Sequence, residues 1–198
     1  MDENEASRGK DPLNEEEQAL LDERDRIGTR PQEDAAPPGL SCFVATVEGS
    51  AQEYASRLRA VLGAALDGAV ARSGIGREIT PRQVPEWFAA ICDGQDGERV
   101  APDFARRGSE RYTAAGHGSS WDLPDWLDRF DPDDPFRTWS WWDLTQAGDH
   151  TLSLWVDAGG EDFFACDELR WAAYTSGAVS VVGPRLLKLD GWLSEPSV

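Results

Sequence analysis

Residues 136–157, FRTWSWWDLTQAGDHTLSLWVD, alternate large apolar and polar side chains. Period two is the signature of a strand, because successive side chains point to opposite faces. The stretch therefore predicts a β-hairpin. Phe136, Trp142 and Leu144 share one face of its first strand with Thr138 and Ser140. Arg137, Trp139, Trp141 and Asp143 share the other. On the second strand Leu152, Leu154 and Val156 form an apolar row, opposed by Thr151, Ser153, Trp155 and Asp157. Cross-strand partners lie on one face, so the apolar rows set the parity of the register. Pairing Trp142 with Leu154 puts Trp141 opposite Trp155 and Trp139 opposite Asp157. The expected result is a core face around Trp142 and a second face bearing Trp139, Trp141 and Trp155, rimmed by Arg137, Asp143 and Asp157.

Upstream, residues 41–47 (SCFVATV) are short, apolar and partly β-branched, which predicts a buried strand ending at Gly49. Ser50 and Glu53 have capping-box spacing, and Tyr54, Leu58, Val61, Leu62, Ala65 and Ala69 form one helical stripe. That helix is expected to run to about Arg72 and stop at Gly74. Pro81 and Gln83 signal a second helix start, but Pro85 would then sit inside it. Two outcomes follow: a turn over 80–84 before a helix from Pro85, or a kinked helix. Val84, Trp87, Phe88 and Ile91 share a face in both.

Residues 93–120 carry weaker signals: a turn cluster in DGQDGE, a short helix over 102–112 interrupted by Gly108, and a loop over 114–120. Asp122 opens a helix with Leu123, Trp126, Leu127 and Phe130 inward, and 131–135 (DPDDP) turns the chain into the hairpin. Beyond it, 158–160 (AGG) predicts a tight turn into a third strand over 161–165. A helix over 168–176 ending at Gly177 follows. A last strand over 179–182 is expected to break at Gly183-Pro184, with 185–189 as an edge.

These elements predict an α+β fold: a mostly antiparallel sheet of four to five strands around the Trp-rich hairpin, packed with three to four helices. Residues 40–198 are expected to form one domain. Residues 1–39 hold 12 acidic and five basic residues and end in AAPPG. Asn14 and Glu17 form a capping box there, but Leu13, Leu20 and Ile27 give only a thin stripe. The expectation is an acidic arm, disordered or transiently helical.

Charge narrows the function classes. With 37 acidic and 19 basic residues the net charge is −18, a field that repels phosphate backbones and anionic membranes and suits a basic partner. The cations are 17 Arg and two Lys, a bias fitting a GC-rich bacterial genome. The N-terminus lacks the basic and apolar regions of a signal peptide, and no 18-residue apolar run is present. Cys42, Cys92 and Cys166 are an odd, widely spaced set, which suits buried thiols in a reducing cytoplasm.

Motifs for chemistry are weak. His117 and His150 lack ligand spacing, so no metal is assigned. DPDDP lacks the glycine and glutamate of a calcium loop. GHGSS is not a nucleophile elbow, and no phosphate-binding glycine loop occurs, so neither catalytic residues nor a cofactor is assigned. The expectation is an acidic bacterial protein–protein interaction module, such as an inhibitor or immunity-type partner of a basic protein. Its binding candidates are Trp139, Trp141, Trp155, Arg137, Asp143 and Asp157. The competing expectation is a small-molecule-binding domain or enzyme with a pocket between the 136–157 hairpin and the 122–130 helix.

Overall fold

Ser50 accepts the backbone N–H of Glu53 at 3.2 Å and opens α2 (Ala51–Ser73), which Gly74 closes in a left-handed conformation, φ +75. β1 (Gly39–Val47) runs directly before it. The computed structural model describes residues 14–74, 80–94 and 100–198. Among these the further helices are α1 (Glu15–Arg26), α3 (Glu86–Cys92), α4 (Asp103–Ala114), α5 (Leu123–Asp128), α6 (Asp167–Thr175) and α7 (Leu189–Leu193). The further strands are β2 (Ser140–Gly148), β3 (Thr151–Asp157) and β4 (Ala178–Lys188). All four strands pair antiparallel in the order β2-β3-β1-β4, so the fold is α+β. No described helix is long and apolar enough to cross a membrane.

Both faces of the sheet are covered. Phe43, Ala45, Leu144, Leu152, Leu154 and Val156 meet α2, α3, α5 and α6 in the main core. Leu40, Cys42, Trp142 and Trp155 meet Trp192 of α7 in a smaller layer opposite. This double burial explains why β1 reads as one apolar run and not as an alternating one.

The hairpin register differs from the expected one. Trp141 pairs with Val156 and Asp143 with Trp155, so β2 carries an extra residue, Trp142, in a bulge. One inserted residue flips parity. Trp141 therefore joins Leu154 and Val156 in the main core, and Trp142 joins Trp155 on the opposite face.

Residues 161–165 form no strand, because β3 already has β2 on one edge and β1 on the other. Instead Phe163 is exposed and Phe164 buried. β4 does not break at Gly183-Pro184. There, two residues of β4 lie opposite Phe43 of β1, and an edge position tolerates the missing proline donor. α3 begins after Pro85, as in the first of the two outcomes, with 80–84 in no regular element.

Gly108 does not interrupt α4. A Cβ at this position would run into the Tyr174 carbonyl, so the glycine permits the close crossing of α4 over α6. Within the described part of the expected arm, 14–39, α1 packs against the domain by one stripe. Leu20, Glu23 and Ile27 lie buried on one stripe of α1 and its C-cap. Arg24 Nε bonds Asp67 Oδ1 at 2.8 Å, and Asp67, fully buried in α2, also takes the Arg82 guanidinium at 3.0 Å.

Candidate functional site

The outer edge of β2 faces α1, and two side chains of that helix serve the backbone of one strand residue. Glu23 Oε1 accepts the Trp141 N–H at 2.7 Å, and Arg26 Nε donates to the Trp141 carbonyl at 2.9 Å. Arg137 forms an ion pair with Glu23 and donates to the Phe130 carbonyl. Further along the same edge, Gln146 N donates to the Pro196 carbonyl at 2.9 Å and Thr145 bridges Ser197. The strand edge is thus closed by a helix and by the chain's last residues.

Between α1, residues 35–37 and the start of β2 lies a cleft of about 740 Å³. Its walls carry the carboxylates of Glu16, Asp22, Glu23, Asp133 and Asp157, with Arg26 and Arg137 among them. Trp139 and Trp142 also line it. Trp139 Nε1 donates to Glu168 Oε1 at 2.5 Å, and its ring meets Phe130 edge to face. Arg26 lies over the Trp142 ring at 4.9 Å. A second cleft, about 720 Å³, lies between α5 and the 131–136 turn. Trp121, Phe136 and Arg129 line it with Asp125, Asp128, Asp131, Asp133 and Asp134. Arg129 bonds Asp134 at 3.0 Å and sits 4.9 Å from the Phe136 ring centre. Asp131 and Asp134 accept the N–H groups two residues on, the Asx turns expected of DPDDP.

The six residues singled out in the sequence are divided by the fold. Arg137, Trp139 and Asp157 come together in the first cleft. Trp141 is 1% exposed behind it in the main core. Asp143 and Trp155 lie on the opposite face of the sheet, both buried. There Asp143 accepts the Trp192 N–H at 2.8 Å and the Leu144 N–H at 2.7 Å. Trp155 donates to Thr145 Oγ1 at 2.7 Å. The tryptophans therefore make no single open face.

The chain matches no family model, curated protein or solved structure.

Burial raises the carboxyl groups of Glu23, Asp143 and Glu168 above the ordinary carboxylate range, and the hydrogen bonds each accepts oppose that rise. Glu168 Oε2 has no partner among the described residues. Burial likewise pushes the thiols up, Cys42 to about 11 and Cys92 and Cys166 to about 12, and all three are free and buried. Among the described residues no cluster of His, Cys, Asp and Glu is arranged to hold a metal.

Sequence reasoning missed Glu23, Glu168 and Trp192. Glu23 had a signal, since it falls three residues after Leu20 and four before Ile27, on the apolar stripe. Leu189, Trp192 and Leu193 also have helical spacing, obscured by the strand assigned to 185–189. Glu168 had none, because its partners are Trp139, just before β2, and Trp126 of α5.

Proposed function

We propose that this chain is an acidic, cytoplasmic interaction module that docks a basic protein across the two clefts meeting at Asp133. The observation carrying this is their shared lining. Asp133 belongs to both, and Glu16, Asp22, Asp125, Asp128, Asp131 and Asp157 extend the acidic surface to either side. The arginines among them are already engaged: Arg137 by Glu23, Arg26 by the Trp141 carbonyl, Arg129 by Asp134. Negative charge is left facing outward. Phe136, 59% exposed, adds an apolar contact of the kind found in interface cores. With a net charge of −18 the molecule would attract a basic partner from a distance, by a field that salt screens. An inhibitor or immunity-type role toward a basic protein fits this surface.

The test is the association rate with an arginine-rich peptide at rising ionic strength. The rate should fall steeply with salt, and Asp125, Asp128 and Asp133 changed to Asn should lower it more than Glu110→Gln with Asp149 and Asp190 changed to Asn outside both clefts. A flat salt response would exclude steering.

One observation favours a small-molecule site instead. The second cleft lies beside α5, has a volume typical of ligand pockets, and already holds the Arg129 guanidinium near two aromatic rings. Saturable binding of a flat organic cation there, lost in Phe136→Ala, would support that use.

A further inference from the structure

We propose that the open end of β4, residues 185–188, receives an extended acidic segment of a partner protein as an added strand. The segment would read acid, apolar, apolar, acid opposite Arg185, Leu186, Leu187 and Lys188. β4 is the edge strand opposite to β2, so this surface stands apart from the cleft beside α1 and does not rest on it.

The first observation is a stretch of sheet edge left open where its neighbours are closed. The outer edge of β2 is served by Glu23, Arg26 and the carbonyl of Pro196. Side chains of α6 close the first half of β4 in the same way. The Val181 N–H donates to Tyr174 Oη at 3.2 Å, and Arg170 donates to the Gly183 carbonyl at 2.8 Å. Beyond Pro184 this cover stops. The Val47 N–H bonds the His150 carbonyl on the β3 side, so by alternation Leu40 and Cys42 turn their main-chain groups toward β4. Their partners there are Leu187 and Arg185. Leu186, between them, turns its N–H and C=O outward, where no described residue meets them. Such an edge is a template for a further strand.

The second observation is charge. Every other described arginine has a hydrogen bond or ion pair, whereas the side chains of Arg185 and Lys188 have neither among the described residues. They are two unengaged cations on a strand without a carboxylate, in a chain of net charge −18. Between them Leu186 and Leu187 are each 38% exposed, and Val182 is 56% exposed.

One occupant answers the main chain, the cations and the leucines together. A phosphate polymer or an anionic lipid would leave the Leu186 amide unpaired, and the net charge opposes both. A second copy of β4 would set like charges against each other. An extended peptide supplies the main-chain partners, and carboxylates on it pair across the strands with Arg185 and Lys188. Because 185–188 reads cation, apolar, apolar, cation, the matching pattern is the same from either end.

The probe is acetyl-Thr-Glu-Val-Val-Glu-Thr-amide, with glutamine for both glutamates as the uncharged control. Physiological salt screens the long-range repulsion of the acidic chain and leaves contact pairs in place. The readout is hydrogen exchange of the Leu186 amide, followed by NMR. The acidic peptide should slow that exchange saturably, and the glutamine peptide should bind about tenfold more weakly. Arg185→Gln with Lys188→Gln should bring the acidic peptide down to the level of the control. Leu186→Pro, which removes an outward donor and no bond to β1, should abolish protection with an unchanged circular dichroism spectrum; if it unfolds, the double glutamine variant decides. Equal binding of the two peptides overturns the proposal, as does binding that leaves the Leu186 amide unprotected, or no binding at all. Protection of Leu186 that rises with the concentration of the chain alone, indifferent to peptide, would assign the edge to a second copy instead.

Discussion

The carboxylate of Glu23 accepts the backbone N–H of Trp141 at 2.7 Å across 118 positions of sequence, while the next helical turn returns Arg26 to the same residue's carbonyl. A helix thus stands where a neighbouring strand would, and both main-chain groups of an edge residue are satisfied. Glu23 is also the buried partner of Arg137, with side-chain exposures of 3% and 13%.

Removing one member of that pair leaves the other charge buried. Glu23→Ala is expected to cost about 3 kcal/mol in urea unfolding, as broken buried pairs do. Glu23→Leu with Arg137→Met should recover most of the loss. If the double variant is no better than the single one, the strand-edge bonds and not the ion pair hold α1.

Burial raises Glu23, Asp143 and Glu168 above the ordinary range, so between their ordinary values (3.8 for Asp143, 4.5 for the two glutamates) and their raised ones the folded chain binds more protons than the unfolded one. Their contribution to stability falls as pH rises through that window and levels off above it. Glu168→Gln removes one titrating group whose Oε2 is already unpartnered. The variant should be at least as stable as wild type at pH 7 and show a shallower loss from pH 5 upward, measured by chemical denaturation at each pH.

Gly108→Ala would ordinarily stabilise a helix by roughly 0.5–1 kcal/mol. In α4 the added methyl meets the Tyr174 carbonyl, a backbone atom that cannot rotate away. The sign should reverse, with a fall in Tm of several degrees. A higher Tm would show that α4 and α6 separate readily.

Trp155 and Trp142 occupy one layer but differ at the indole nitrogen: Trp155 donates to Thr145, and Trp142 has no partner among the described residues. Trp155→Phe should therefore cost about 1–2 kcal/mol more than Trp142→Phe, the penalty of a lost buried hydrogen bond added to similar lost volume. Equal losses in thermal unfolding would contradict the bonding pattern.

Native thiols should resist modification. Cys42, Cys92 and Cys166 are buried and held at about 11 to 12, so little thiolate exists at pH 8. A colorimetric thiol reagent should label the folded chain at the rate of its opening and all three sites at once in denaturant. Rapid labelling of one site would identify a local opening.

What the sequence by itself determined is what short stretches encode. Ser50 and Gly74 bracket α2 because a cap and a left-handed stop act within a few residues. The apolar runs of β1 and β3 and the stripe of α6 announce their elements in the same way. The α+β class follows from the order of such signals. Tertiary structure decided which face each tryptophan took. The bulge at Trp142 reverses the parity that alternation implied, and alternation carries no mark of an extra residue. Partner availability left 161–165 unpaired, and the edge position let β4 pass Pro184. The candidate cleft was half legible: Arg137, Trp139 and Asp157 were visible in the hairpin, whereas Asp22, Glu23 and Asp133 arrive from elsewhere in the chain. Charge pairing across more than a hundred residues depends on packing, and no local pattern of residues contains it.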